Sequence, residues 1–256
     1  MRLETSQGHE ILNLADWAKL YDTPQSSHQW KEHRSAYSAA DFMMNRNGGA
    51  AIQSRVSDVL GRAVNFQRAI PEFEVRFDEF GRGRMHDIAI FGTTDSGESV
   101  FVGVEAKVDE TFGSSVHDAY LTAKAKQIVG VSTKAPERIE KLLSMHFAVP
   151  SMAMFDVRYQ LLYATAGTLA AETDISILYV IVFKTALYNE SIGAENYRDY
   201  IQFMSKVGAK PLKLSSKEVI GHELILQQKK LTCLHEYLEF EANQANSADA
   251  KSRAAD

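Results

Sequence analysis

Residues 100–107, VFVGVEAK, constrain the chain most: an apolar run in which Val100, Val102 and Val104 alternate with Phe101 and Gly103 continues into Glu105 and Lys107. Desolvating unpaired charges is costly, so an acid and an amine at the end of such a strand need partners. The preceding segment, MHDIAIF at 85–91, reads as a second strand, and GTTDSGES between the two has the composition of a turn. In a hairpin that pairs Phe91 with Phe101, Ala89 falls opposite Gly103 and Asp87 opposite Glu105. Side chains alternate across a strand, so Asp87, Glu105 and Lys107 are expected on one face, with Glu105 and Lys107 about 6.6 Å apart along the strand. Ile88, Ile90, Val102, Val104 and Ala106 take the other face, toward helices, and the same alternation sends His86 to the face opposite Asp87.

The surrounding chain supplies a domain for this hairpin. EFEVRFDEF alternates Phe73, Val75 and Phe77 with Glu74, Arg76 and Asp78, which predicts a strand ended by the turn GRGR. Three antiparallel strands in a meander follow. Before them, Ile52, Val56, Val59, Leu60 and Val64 lie at helical spacing. After Gly113 the pattern is helical to about Leu143, with Pro136 at a helix start. MAMFDVRYQLLYATAGTLAAE then reads as one long helix and ISILYVIVF, residues 175–183, as a buried strand. The expected order is helix, three strands, helical insertion, helix, strand, an α/β fold with a mixed central sheet flanked by helices.

Residues 1–48, with ILNLADWAKL and a segment around SAADFMMNR that Ser38 could cap, predict a helical N-terminal arm or lid. Residues 49–241 form the main domain, with a core over 49–184 and an extension over 185–241 in which LTCLHEYLEF fits either a peripheral hairpin or a helix. Residues 242–256 carry almost no large apolar residue and read as a disordered tail.

Composition removes several classes. At 256 residues and 45% hydrophobic the chain has ample material for a core, and its single cysteine, Cys233, excludes an internal disulfide. The start MRLETSQGHE lacks a signal-peptide pattern and no apolar run is long enough to span a bilayer, so a cytoplasmic location without membrane association is expected. A net charge of −5 argues against indiscriminate coating of nucleic acid but says nothing of one local groove. Two basic stretches, Lys124 to Lys141 and Lys206 to Lys217, are the candidate contacts. His222, His235 and Cys233 lack zinc-ligand spacing, and no Gly-x-Ser-x-Gly elbow or phosphate-binding glycine loop occurs.

Paired carboxylates beside a lysine have a chemical use. Hard oxygen ligands hold Mg²⁺ while leaving positions for water and a substrate phosphate, and a fixed cation lowers the barrier where charge grows at phosphorus. The alternative is a surface hairpin whose charges form a cross-strand ion pair, worth ~0.2–1 kcal/mol.

Asp87, preceded by His86, and the triplet Glu105-Ala106-Lys107 resemble the signature of the PD-(D/E)XK nuclease superfamily. The element order from Gly49 to Lys184 resembles that family's restriction-endonuclease-like αβββαβ core. The resemblance implies that Asp87 and Glu105 bind Mg²⁺ or Mn²⁺, with the backbone carbonyl of Ala106 as a further ligand, and that Lys107 serves the chemical step. RYQLLY resembles the glutamine and tyrosine motif of RecB-like members, which implies roles for Gln160 and Tyr163 in orienting water or substrate. The family's first helix often adds an acid, for which Asp58 is the candidate. The implied activity is hydrolysis of nucleic acid phosphodiesters, DNA ahead of RNA, with a homodimer left open. The other class of reading is a nucleic-acid-binding or protein-interaction module that keeps the nuclease fold without turnover.

Overall fold

In a computed structural model, residues 1–23 and 27–240 are described; the expected tail therefore lies outside the described residues. The strands are β1 (Arg2–Leu3), β2 (Val64–Val75), β3 (Arg84–Thr94), β4 (Ser99–Lys107), β5 (Ile175–Lys184), β6 (Lys210–Pro211), β7 (Val219–Leu226) and β8 (Lys229–Glu239). The helices are α1 (Leu14–Ala18), α2 (Ser35–Asn45), α3 (Gly48–Leu60), α4 (Val116–Ile128), α5 (Ala135–His146), α6 (Tyr159–Leu169) and α7 (Glu190–Lys206).

All eight strands form one mixed sheet in the order β1-β2-β3-β4-β5-β8-β7-β6. The β2-β3-β4 meander is antiparallel, and its second hairpin pairs Phe91 with Phe101 and Ala89 with Gly103. Beyond β4 the chain crosses through α4, α5 and α6 to β5, which pairs parallel with β4 on one side and with β8 on the other. Ser176 to Phe183 are all buried, as a strand covered on both faces requires. One core layer joins Ile88, Ile90, Val102 and Val104 to Ile52 and Val56 of α3 and to Ala39 and Phe42 of α2. The other places Leu178, Val180 and Val182 against Leu161 and Leu162 of α6 and Tyr200 and Phe203 of α7.

Several boundaries differ from the periodicity. The long helix expected from Met152 is a 3₁₀ turn (Met152–Asp156) followed, after extended residues Val157 and Arg158, by α6. Strand β2 begins at Val64 and runs through Pro71, which lies beyond the two residues paired with β1 and so has no ladder bond to lose on that side. Ser38 is buried inside α2 and does not cap it. The N-terminal arm is not a separate layer: Glu4 N–H donates to Ala69 C=O, and Trp17 and Tyr21 share the core of Ile88 and Val104. The C-terminal hairpin is not peripheral either. Strand β8 lies inside the sheet, where Glu236 accepts from Arg55 of α3 at 2.9 Å and from the Tyr179 hydroxyl.

Candidate active site

The hairpin register carries Asp87 and Glu105 to adjacent strand ends, but the alternation breaks one step before it reaches them. The last β3–β4 pair is Ile88 with Val104. On the far side of Asp87, the His86 ring lies edge-on to Phe101 at 5.4 Å, and a Cβ on Gly103 would come within 2.6 Å of its Nδ1. His86 thus shares the face of Phe101, not that of Ile88, which corrects the expected assignment. The neighbouring strand is disturbed at the same level. Pro71 pairs with Ile88 and Phe73 with His86, and between them Glu72 holds a left-handed backbone with φ 48°. Such a conformation is rare for glutamate and marks a position held by its surroundings. Asp87 enters the site from this irregular step, and its Oδ2 accepts the Ala106 N–H at 2.7 Å.

Glu105 and Lys107 are 3% and 4% exposed. Lys107 Nζ lies 2.9 Å from Glu105 Oε1, and Gln160 of α6 joins both: its Nε2 donates to Glu105 Oε1 at 2.6 Å and its Oε1 accepts from Lys107 at 3.2 Å. Arg84, at the start of β3, forms an ion pair with Glu105. Its Cβ lies over Gly167, where a side chain would collide with it at 2.3 Å. Burial holds the Lys107 amino group below its ordinary range, opposed by the charges of Glu110 and Asp87. Burial likewise lowers Arg84. The carboxyl of Glu72 is pushed up to about 7, first by burial and then by the charge of Asp87, while the Tyr21 hydroxyl donates to it at 2.5 Å.

These groups line one cavity of about 420 Å³. Asp87, Glu105, Ala106, Lys107 and Gln160 all line it. Tyr163 and Asp58 do not. The Tyr163 hydroxyl donates to Gly83 C=O at 2.6 Å and its ring packs on Phe77, and Asp58 lines a small separate hollow with Arg55 and Leu214. The basic stretches are also elsewhere: Arg138 and Lys141 pair with Asp78 and Glu79, Lys124 with Glu140, and Lys206 with Asp156. The cavity gains residues that sequence reasoning missed, namely Glu72 and Arg84 and, from the arm, Tyr21, His28, Gln29 and Arg34, and Glu110 lines it as well. Only tertiary packing unites them. Arg84 was visible merely as part of a glycine-rich turn.

A family profile described as "Domain of unknown function (DUF6946)" matches residues 10–235. No curated protein and no solved structure matches the chain.

Proposed function

We propose that this chain, which belongs to the DUF6946 domain family, hydrolyses nucleic acid phosphodiesters with a divalent cation at the Asp87–Glu105–Lys107 site. The observation that carries the reading is the buried Glu105–Lys107–Gln160 cluster, with Asp87 entering the same cavity from the adjacent strand end. The succession α3-β2-β3-β4-α6-β5 supports a restriction-endonuclease-like core.

The donor chemistry fits the metal. Mg²⁺ takes hard oxygen ligands and is commonly held through one or two carboxylates, with water and substrate phosphate completing its shell. Among the described residues no group of three or more His, Cys, Asp or Glu is arranged around a metal position, a number this mode does not need. Asp87 and Glu105, with the Ala106 carbonyl, would hold the ion, since all three residues line the same cavity. Bound there, the cation would neutralise charge on the scissile phosphate. Lys107 offers its ammonium to the charge that develops at phosphorus. Gln160 fixes the direction of both Lys107 and Glu105. Arg84, able to present two parallel donors, exchanges Glu105 for a phosphate oxygen when substrate enters.

One observation favours the second reading, a binding module without turnover: the Arg84–Glu105 ion pair already compensates the carboxylate. Calorimetric titration with Mn²⁺ separates the two. The nuclease reading expects saturable binding that is lost in Asp87→Asn and Glu105→Gln, together with cleavage that EDTA stops. Mn²⁺ affinity that is absent in the wild type, or equal in all three proteins, would leave the binding module as the better account.

A further inference from the structure

The N-terminal arm forms one wall of the cavity and is tied down. Tyr21 is fixed by Glu72, the Thr185 hydroxyl donates to His33 C=O at 2.8 Å, and Trp17 lies in the core. His28, Gln29 and Arg34 line the cavity from this side, with Lys107 almost wholly buried at its base. Arg34 keeps half of its side chain exposed, and its nearest acid, Asp109, is a loose 3.7 Å away. An aromatic series begins at the cavity wall: Tyr21 stacks on Trp30 with centroids 5.2 Å apart and planes at 28°, and Trp30 meets Tyr37 at 5.5 Å. Trp30 and Tyr37 are only half-buried.

We propose that this arm makes the site selective for single-stranded nucleic acid, with Trp30 and Tyr37 stacking bases beside the scissile phosphate and Arg34 contacting the backbone. The inference rests on the nuclease reading for its cleavage consequences but not for its binding ones. A phosphate must descend to Lys107 through a cavity of about 420 Å³ walled by a segment bonded to the rest of the domain. A single strand can turn a phosphate inward and lay a base on an aromatic face. In a continuous duplex each base is held by its partner and is not free to turn onto an aromatic face. Stacking of bases on aromatic rings beside a fixed cation is how sequence-tolerant single-strand sites gain affinity, and the half-buried Trp30 and Tyr37 keep part of each ring accessible for it.

The test uses the full chain with Mn²⁺ and three labelled DNA probes of one sequence: a single strand, a blunt duplex, and a duplex with a single-stranded overhang. The single strand and the overhang are expected to be cut, and the duplex interior to be cut about a hundredfold more slowly, the scale of loss when reacting atoms cannot be positioned. Binding is read separately in the Lys107→Ala protein by fluorescence anisotropy of the labelled probes, a signal that does not depend on Trp30. Trp30→Ala should weaken single-strand binding about tenfold, and Trp30→Phe should restore most of it. Should Trp30→Ala fail to fold, Arg34→Gln gives the same decision by weakening binding and lowering its salt slope by about 1.

A duplex cut as fast as the single strand, or folded Trp30→Ala and Arg34→Gln proteins that bind the single strand undiminished, would overturn the inference. If no probe is cut, the nuclease reading falls. The arm's role then survives if the single strand alone binds in a Trp30-dependent way, and falls if the duplex binds as tightly or neither binds.

Discussion

Gln160 and Glu105, 55 positions apart in the chain, meet through a 2.6 Å hydrogen bond from the Gln160 Nε2 to the Glu105 Oε1. The same carboxamide accepts from Lys107, so one side chain of α6 orients both charges at the end of β4. Gln160→Ala leaves a buried acid and a buried amine each short of a bond. It should lower stability by ~1–3 kcal/mol and reduce the cleavage rate more than the affinity for substrate. Urea denaturation and single-turnover kinetics check the two parts. An unchanged midpoint together with an unchanged rate would remove Gln160 from the site.

The Glu105 carboxylate compensates two buried cations, Arg84 and Lys107. Glu105→Ala should therefore destabilise the fold by ~3–5 kcal/mol, because breaking a buried ion pair strands the remaining charge. The double substitution Glu105→Leu and Arg84→Met should recover part of that loss. A denaturation cycle over Glu105→Leu, Arg84→Met and the protein carrying both measures the coupling, and strictly additive effects would show that the two side chains are independent.

His235 of β8 is fully buried among Tyr197, Tyr200 and Tyr237, with centroids 5.0–5.7 Å away, and neither ring nitrogen has a hydrogen-bond partner among the described residues. Burial holds its pKa down to about 4, and His146 is held at about 4 for the same reason. In the unfolded chain these rings titrate near 6.5, so between pH 6.5 and 4 the unfolded state binds more protons. Stability is then complete above pH 6.5 and falls as the pH drops toward 4, by up to ~3 kcal/mol for each histidine. His235→Phe should flatten part of that acid slope in urea titrations at pH 7 and 5. An identical slope in the variant would contradict the assignment.

The sequence made the hairpin readable because period-two alternation and a turn of fixed length leave little freedom in register; Phe91 does pair with Phe101 and Ala89 with Gly103. The E-x-K triplet marked Glu105 and Lys107, and the helix after the insertion carried Gln160. The rest of the cavity was not legible. Glu72 reaches it only because its backbone turns left-handed, and Tyr21 and Arg34 reach it only because the arm docks on the sheet. Strand β8 was ambiguous for a related reason: a strand covered on both faces loses the alternation that distinguishes it from a buried helix.

Single-turnover cleavage of a labelled single-stranded oligonucleotide with Mn²⁺, by wild-type and Lys107→Ala proteins purified side by side, tests the central claim most directly. Removing a fixed charge from the developing transition state should slow the wild-type rate by about 10²–10³-fold while leaving substrate affinity nearly unchanged. Equal rates for the two proteins, or no metal-dependent cleavage by the wild type, would contradict the assignment of this cavity as a nuclease active site.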